Sequence, residues 1–441
     1  MAWKSMTARL AMLLALPLAA GALLNACGGG TDRTKAQVRM VNVSAGYSQL
    51  DLQVDGQLRQ GGVGYGSAEA YVEIDPGKAS SSITSAGSAT TLLSFTPALS
   101  EKKYYTLLAF GAAGALRQML LDENIGAPDT NKALLRVVNA SPDAGALDVY
   151  LTAPTDLLPH VVAVQTAVAY GVQGNHTLVN SGTWRLRITA AGSKTDVRLD
   201  VPVVGLASKQ VSTLVLTASA GGLMVNSLLL TQQSSIARQD TQQARVRLVA
   251  AVTNSAVVKA SLGITSLIST AANAGEITSP SLDGYVLVPV GTWAATVTVN
   301  GQPLAVPAKT LSPGQDYSFM VHGPSSAPTS SWLNDDNRLP SDTTQLKLRL
   351  INGVADSSAA LAMKLDGSSV AGAVLVGAAS DYTLVKPVAA GGSNGRLTIT
   401  AAGVPTAIYT SASQTLVAGG SYSVFVVGPV AAPSGLVGVD R

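Results

Sequence analysis

A short motif recurs four times along this 441-residue chain, and the repetition constrains its fold more than any other feature. Arg39-Met-Val-Asn42 returns as Arg136-Val-Val-Asn139 and Arg349-Leu-Ile-Asn352, and more loosely as Arg247-Leu-Val-Ala250. The successive arginines are 97, 111 and 102 residues apart. A unit of about 100 residues has the size of an immunoglobulin-like sandwich. The spacing therefore predicts four copies of one such unit.

The segments between these motifs have the pattern of β-strands. Residues 50–56 and 361–367 alternate apolar and polar side chains and end in Asp-Gly, which is typical of a half-buried strand that enters a turn. A glycine is followed five positions later by a ring in three units: Gly66/Tyr71, Gly171/His176 and Gly377/Tyr382, with Tyr285 in the third unit. With about seven short strands per unit and no helical periodicity, we expect an all-β fold of four tandem immunoglobulin-like β-sandwich domains.

Five aromatic residues have predicted structural roles. Tyr105, Tyr317 and Tyr422 each follow a leucine by six residues across a tight turn. This spacing looks like a tyrosine corner, in which the phenol hydroxyl contacts the upstream backbone. Trp184 and Trp293 both follow Gly-Thr at equivalent positions, and we interpret them as a shared core tryptophan.

The first residues resemble a bacterial lipoprotein signal peptide. Lys4 and Arg9 precede an apolar stretch of 15 residues, 10–24, which is too short for an ordinary transmembrane helix. The stretch ends Leu24-Asn25-Ala26-Cys27, which is similar to a lipobox. The resemblance implies lipidation of Cys27, cleavage before it, and a membrane as partner through that anchor. The alternative is an ordinary secretory signal with an incidental cysteine.

The predicted domain division follows from these features. Gly28 directly after the cysteine suggests sorting to the outer membrane of a Gram-negative cell envelope. The predicted parts are a signal peptide (1–26), a lipidated cysteine with a flexible tether (27–36), and β-sandwich repeats 1 (37–127), 2 (128–240), 3 (241–340) and 4 (341–441).

Composition argues against several classes of function. The formal net charge of +3 is too small for a nucleic-acid-binding surface. One cysteine and three histidines cannot build a zinc framework or a disulfide scaffold, and we expect no cofactor. His176 occupies the slot of a tyrosine, His322 lies on a predicted strand, and His160 lies in an insertion. No catalytic constellation is evident, so we predict that the protein is not an enzyme.

Two joints between units carry acidic side chains that could hold calcium. Asp122-Glu123-Asn124 ends the first unit, and Asp335-Asp336-Asn337 ends the third. Acidic and amide oxygens at such joints resemble the calcium linkers of cadherins, although Ca²⁺ needs six to eight oxygen ligands. Asx turns and polar strand ends explain the same residues without a metal.

The opening of the second unit closely resembles that of DUF4397 domains. The segment Leu135–Tyr150 reads LRVVNASPDAGALDVY, with Asn139 where the family usually has His and Gly145 where it usually has Pro. The resemblance extends over the mature chain as degenerate copies and is weakest in the third unit. It implies a secreted or surface location and transfers no catalytic residue.

These observations favour a structural, adhesive or interaction role for a lipid-anchored protein that faces the surface or periplasm. Four sandwiches placed end to end would form a rod of about 160 Å. The alternative is a ligand-binding lipoprotein that stacks a glycan on tryptophans, among which Trp332 has no counterpart in the other units. A hydrolase is a remote third possibility.

Overall fold

The computed structural model describes residues 34–269, 275–390 and 394–441. Within these ranges the fold is all-β, as predicted, and the one helix is a short 3-10 turn at Leu158–His160. None of the described helical residues forms a helix long and apolar enough to cross a membrane. The lipobox residues Leu24, Asn25 and Ala26 and the lipidation candidate Cys27 lie outside the described residues.

The first half of the described chain forms twenty strands. Those of repeat 1 are β1 (Ala36–Asn42), β2 (Gln49–Val54), β3 (Gln57–Gly64), β4 (Ser67–Ala68), β5 (Val72–Ile74), β6 (Gly77–Lys78), β7 (Ser81–Ser85), β8 (Thr91–Phe95), β9 (Ala98–Leu99), β10 (Tyr104–Phe110) and β11 (Arg117–Asp122). Those of repeat 2 are β12 (Lys132–Asn139), β13 (Leu147–Thr152), β14 (Gln165–Val168), β15 (Thr177–Asn180), β16 (Gly182–Ala190), β17 (Val197–Leu206), β18 (Val211–Ala218), β19 (Val225–Thr231) and β20 (Ile236–Gln239).

The second half adds nineteen more. Repeat 3 contains β21 (Gln243–Val252), β22 (Val257–Leu262), β23 (Thr265–Ser266), β24 (Ile277–Thr278), β25 (Ser281–Pro289), β26 (Gly291–Trp293), β27 (Ala295–Val299), β28 (Gln302–Leu304), β29 (Lys309–Leu311), β30 (Asp316–Gly323) and β31 (Thr329–Asp335). Repeat 4 contains β32 (Leu346–Val354), β33 (Leu361–Leu365), β34 (Ser368–Val374), β35 (Thr383–Val385), β36 (Leu397–Ala401), β37 (Ala407–Thr410), β38 (Ser421–Gly428) and β39 (Ser434–Val439).

Each repeat contributes two main sheets. The first, which we call the pairing sheet, contains the strand with the arginine motif, and the pairing sheets are β11-β10-β1 with β4 and β5, β15-β12-β18-β19-β20, β25-β21-β30-β31 and β35-β32-β38-β39. The outer sheets are β3-β2-β7-β8, β14-β13-β16-β17, β23-β22-β27-β28 with β24, and β34-β33-β36-β37. An apolar core lies in each of the four repeats. The boundaries of the four domains stay a prediction.

The motif strand is buried on both faces because two different partners cover it. In β21, Val246 and Leu248 point into the core of repeat 3. The alternate residues Val249 and Ala251 point away from that core and into a second apolar cluster. Side chains alternate between faces along a strand, so each motif strand contributes to two cores. The motif arginines lie on the second face.

The second face of each pairing sheet packs against the pairing sheet of another repeat. One cluster joins Val41, Leu108 and Phe110 of repeat 1 to Val138 and Val215 of repeat 2, among others. The corresponding cluster between repeats 3 and 4 contains Met320, Ile351 and Phe425, together with the outward residues of β21. Repeats 1 and 2 therefore pack sheet against sheet, as do repeats 3 and 4.

The two pairs contact each other through polar groups. The Gly221 amide donates to the Gly314 carbonyl at 2.7 Å, and the Asn337 amide donates to the Gly221 carbonyl at 3.1 Å. The Leu339 amide donates to the Asp143 carboxylate at 2.7 Å. None of the apolar clusters in residues 34–269, 275–390 and 394–441 spans both pairs. The expected end-to-end rod is wrong, because the repeats pair through sheet faces.

Candidate functional site

The motif asparagine holds its own repeat together. Asn139 Nδ2 donates to the carbonyls of Gly145 at 2.8 Å and Val168 at 3.0 Å, and its Oδ1 accepts from the Ser141 amide at 3.0 Å. Asn42 and Asn352 make the corresponding three contacts in repeats 1 and 4. All three asparagines are fully buried, so their role is structural.

The motif arginine reaches a hydroxyl on the parallel neighbouring strand. In every repeat the arginine Nε donates to the Ser or Thr directly opposite, and the four bonds are Arg39 to Thr106 (2.9 Å), Arg136 to Thr213 (2.6 Å), Arg247 to Ser318 (2.7 Å) and Arg349 to Ser423 (2.8 Å). The strand register sets these partners opposite one another. Three of these hydroxyl residues directly follow a corner tyrosine.

Each guanidinium group then crosses to the paired repeat. Arg247 forms an ion pair with Asp440 of repeat 4 at 2.6 Å. Arg349 forms one with Asp335 of repeat 3 and also donates to the Asn334 carbonyl at 2.8 Å. Both acids stand at the end of the last strand of the partner repeat. The contacts are thus reciprocal, with each arginine bound to the other repeat.

Between repeats 1 and 2 the motif arginines also reach the other repeat, but they donate to backbone carbonyls there. Arg39 donates to the Ser234 carbonyl of repeat 2 at 2.6 Å, and Arg136 donates to the Asp122 carbonyl of repeat 1 at 3.2 Å. Arg39 also forms an ion pair with Glu123 of its own repeat at 2.9 Å. The repeated motif therefore encodes the pairing of repeats.

The aromatic residue found at an equivalent position in repeats 1, 3 and 4 also contacts the motif arginine. The ring lies on the motif arginine, with Cζ to ring-centroid distances of 4.8 Å for Arg39–Tyr71, 4.8 Å for Arg247–Tyr285 and 4.6 Å for Arg349–Tyr382. The three hydroxyls donate to Glu123, Asp335 and Asp440 respectively. His176 stands in this slot in repeat 2, where burial and Arg136 lower its pKa. Cation–π contacts and charge-assisted hydrogen bonds thus surround the motif arginine in repeats 1, 3 and 4.

The acid at the centre of the second pair is ionised although it is fully buried. Burial disfavours the charge on Asp335, but the guanidinium groups of Arg349 and Arg247 outweigh that cost. Hydrogen bonds from Tyr285 and Ser318 at 2.7 Å each add to the effect, so the pKa of Asp335 lies below its usual range. The cluster is a charged network inside the pair interface.

The five aromatic residues singled out in the sequence make equivalent contacts. The hydroxyls of Tyr105, Tyr317 and Tyr422 each accept from a backbone amide five residues upstream, at 3.2, 3.1 and 2.9 Å. The indole nitrogens of Trp184 and Trp293 donate to carbonyls four residues upstream, at 3.1 and 2.9 Å. The half-buried Trp332 lies 4.4 Å from Phe319, centroid to centroid, so it packs on the core of repeat 3.

The calcium candidates of the two joints are engaged by protein donors. Asp122 accepts from Asn124, and Glu123 accepts from Arg39 and from the Gln233 amide. In the other joint Asp335 holds Arg349, Asp336 holds Arg338 and Lys347, and Asn337 donates to Asp316. Among the described residues, no group of three or more His, Cys, Asp or Glu side chains is placed to hold a metal ion. A calcium joint stays a hypothesis.

An open cleft of about 1190 Å³, which we call the central cleft, lies between the two pairs, and all four repeats line it. Arg117 and Tyr170 come from the first pair, whereas Asp381 and Tyr382 come from the second. The Arg117 guanidinium lies 5.2 Å from the Tyr170 ring centroid. Large concave sites with a few convergent polar groups are the usual location of ligand binding.

Two carboxylates of the central cleft, Asp143 and Asp336, have pKa values shifted in opposite directions. Burial raises the pKa of Asp143, and only part of the rise is offset by the Leu339 amide. Burial also acts on Asp336, but its hydrogen bond to Arg338 and the charge of Lys347 outweigh it and lower the pKa. The two carboxylates of the central cleft therefore have pKa values shifted in opposite directions.

The sequence matches the family model described as a domain of unknown function, DUF4397, at residues 36–150. The chain contains a DUF4397 domain. The matched segment includes all of repeat 1 and ends within β13 of repeat 2. It therefore contains both Arg39 and Arg136, the two reciprocal arginines of the first pair. A search of curated proteins finds no significant match.

Solved structures with similar folds share little sequence with this chain. One is a family CBM26 module of Eubacterium rectale Amy13K in complex with maltoheptaose: 9% identity, TM-score 0.16, covering 45% of this chain and 97% of the module. Another is a candidate cell adhesion protein from Bacteroides ovatus: 11% identity, TM-score 0.20, covering 49% of this chain and 100% of that one. These similarities assign no ligand to this chain.

Sequence reasoning missed the hydroxyl partners of the motif arginines and the walls of the central cleft. A signal for the hydroxyls was present, since Tyr105-Thr106, Tyr317-Ser318 and Tyr422-Ser423 repeat a Tyr-Ser/Thr pair. No local signal marks the cleft, because its residues come from four separate parts of the chain.

Proposed function

We propose that this protein is a lipid-anchored, non-catalytic binding protein of the cell envelope that recognises a glycan in the central cleft. The observation that carries the proposal is the cleft itself, since its walls require all four repeats in their paired arrangement. A purely structural spacer needs no such assembly. An adhesive role follows if the ligand belongs to another cell or to a matrix.

The chemistry of the walls suits a sugar. Tyr170 and Tyr382 line the cleft from opposite pairs, and their half-buried rings add aromatic surface to its walls. Arg117 and Asp381 are exposed at the same cleft and offer hydrogen bonds to hydroxyl groups. Aromatic surface with a few polar groups is the composition expected of a ligand site.

The remaining features are consistent with an anchored binding protein. Cys27 ends the lipobox-like segment and would carry the lipid anchor. The motif arginines and their acids are buried in the pair interfaces and are therefore poorly placed for chemistry on a ligand. Without a free reactive constellation at the cleft, binding alone is the simpler proposal.

A glycan array tests the proposal. The mature chain, without residues 1–26, would be probed as wild type, as Arg117→Ala and as Asp381→Ala, which alter opposite walls of the cleft. We expect both variants to weaken binding by about tenfold or more, since each removes a charged hydrogen-bonding group. Arg59→Ala is the matched control, because Arg59 is exposed on β3, away from the cleft.

Three outcomes would contradict the proposal. Binding of no glycan by the wild type would remove the ligand class. Equal binding by the wild type and both cleft variants would place the ligand elsewhere. Release of new reducing ends from a bound glycan, abolished in Asp143→Asn, would show hydrolysis instead of binding. Circular dichroism of each variant would establish that the fold is intact.

A further inference from the structure

A second cleft, of about 1040 Å³, lies where repeats 2, 3 and 4 meet, and we call it the side cleft. Three guanidinium groups line it, one from each repeat: Arg198 from β17, Arg245 from β21, and Arg441 after β39. The proposed glycan site does not use these residues. Three like charges in one cleft are unfavourable unless negative groups balance them.

Of the three arginines, Arg245 alone binds a carboxylate in a bidentate arrangement. Arg245 binds the buried Asp316 in a bidentate arrangement, with Nε and Nη2 at 2.8 and 2.6 Å from its two oxygens. Arg198 shares the partly exposed Asp196 at 2.6 Å and donates to the Leu223 carbonyl at 3.1 Å. Its Nε is buried without a hydrogen-bond partner.

Arg441 is held by neutral groups. Its Nη1 donates to the backbone carbonyls of Asp143 and Asn337. Burial lowers the pKa of Arg441, and the nearby charge of Arg198 lowers it further, against the attraction of Asp143. Burial and the charge of Arg245 likewise lower the pKa of Arg198. The charge of Arg198 therefore lies close enough to those of Arg245 and Arg441 to be repelled by both.

Other charges at the side cleft do not remove this excess. Asp440 also lines the side cleft, but its carboxylate already forms an ion pair with Arg247 at 2.6 Å. The same carboxylate accepts a hydrogen bond from the Ser423 hydroxyl at 2.6 Å. Asp196 is a single carboxylate that lies near both Arg198 and Arg245, at 2.6 and 3.8 Å. An added anion in the side cleft would relieve the repulsion between these guanidinium groups.

We propose that the side cleft is an anion subsite that binds the carboxylate or phosphate group of an acidic glycan. The planar, permanently charged guanidinium group suits both oxyanions. The glycan part of this inference rests on the proposed function, whereas oxyanion binding itself does not. An acidic ligand would explain why three repeats bring arginines to one place.

Isothermal titration of the wild-type mature chain with glucuronate, inorganic phosphate and neutral glucose tests the subsite. We expect glucuronate or phosphate to bind and glucose to give no heat at this site. Arg441→Gln and Arg198→Gln should each weaken the anion by about tenfold, the loss expected for one charge-assisted hydrogen bond. Arg59→Gln is the matched control and should bind as the wild type does.

The outcomes separate this inference from the proposed function. If neither anion binds, or if both variants bind as tightly as the wild type, the anion subsite is wrong whatever the glycan array gives. If the array returns only neutral glycans and Arg117→Ala abolishes their binding, the proposed function stands and the acidic class is wrong. If phosphate binds but glucuronate does not, a phosphorylated rather than a carboxylated glycan is the ligand. Because Arg441 donates only to backbone carbonyls, its variant keeps the test valid if Arg198→Gln fails to fold.

Discussion

Replacement of Asp335 by alanine should uncouple repeats 3 and 4. The Asp335 side chain is fully buried and forms an ion pair with Arg349 of the other repeat. It also accepts hydrogen bonds from Tyr285 and Ser318 at 2.7 Å each, and Arg247 lies 3.8 Å away. The substitution therefore leaves two buried guanidinium groups without one of their counter-charges.

The magnitude follows from these contacts. Removal of one partner from a buried ion pair costs about 3–5 kcal/mol, because the other charge stays desolvated. Each hydrogen bond to a charged acceptor is worth about 1.5–3 kcal/mol, but the groups share one carboxylate and their contributions do not add. Asp440 still neutralises Arg247 in part. We expect a loss of about 4 kcal/mol for Asp335→Ala, and roughly half of that for Asp335→Asn, which keeps the shape and one acceptor.

Tryptophan fluorescence during urea unfolding can isolate the affected repeat. The chain has four tryptophans, and a protein produced from Cys27 onward lacks Trp3 and keeps the other three. In a Trp184→Phe background the remaining two, Trp293 and Trp332, both pack on the core of repeat 3. With a slope of about 2 kcal/mol per molar urea, the loss corresponds to a midpoint shift of about 2 M.

The control is Asp381→Ala, which removes an exposed carboxylate from repeat 4. It should change the free energy of unfolding by less than about 0.5 kcal/mol, which corresponds to a midpoint shift below about 0.25 M urea. A shift for Asp335→Ala as small as that of the control would refute the reasoning. The network would then contribute specificity of pairing without net stability, and the apolar cluster around Phe425 would hold the pair.

Three further predictions concern single contacts. Burial lowers the pKa of His322 to about 4, so protonation of the ring favours the unfolded chain. The free energy of unfolding should therefore fall by about 2 kcal/mol between pH 7 and pH 4.5. In urea unfolding, His322→Asn should reduce this dependence of stability on pH. Gly171 has φ +73°, a conformation that alanine rarely adopts, so Gly171→Ala should cost about 1–3 kcal/mol and lower the melting temperature of the first pair. An unchanged melting temperature would contradict the left-handed backbone at this position. Tyr422→Phe removes the acceptor of the Val417 amide and should cost about 1 kcal/mol in the same melts, whereas no loss would mean that water replaces the hydroxyl.

The strands and their repetition could be predicted because they depend on local patterns. Alternation followed by Asp-Gly gave the β2–β3 and β33–β34 hairpins, where Asp55 and Asp366 adopt positive φ with the glycine that follows each. The tyrosine spacing gave the hydroxyl contacts, since the partner lies five residues away. Such contacts are decided within a few residues, so composition and spacing suffice.

The pairing of repeats could not be predicted from those patterns, although a clue was present. The segment Val246–Val252 is apolar at nearly every position, and a strand of this type is covered on both faces. The prediction of an end-to-end rod assumed that one face of each pairing sheet meets solvent. Which surface covers the second face depends on residues about 100 positions away, and local spacing carries no information about it.

The acidic joints show how the same residues can indicate two chemistries. Glu123 and Asp335 stand where a cation could bridge neighbouring units, and this position suggested calcium. In the structure a cation does bridge there, but it is the guanidinium group of the motif arginine. Arginine and carboxylate lie 84 residues apart in repeat 1, so only the fold brings them together.

The proposed binding sites lie apart from the apolar contacts that stabilise the fold. The apolar clusters lie inside the repeats and inside each pair, whereas polar contacts such as Gly221–Gly314 join the two pairs. The central and side clefts lie at this polar junction and share a wall, because Asp143 lines the first and its carbonyl accepts from Arg441 of the second. A substitution at Arg441 should consequently be scored against both ligands, since a change in the wall alters the two clefts together.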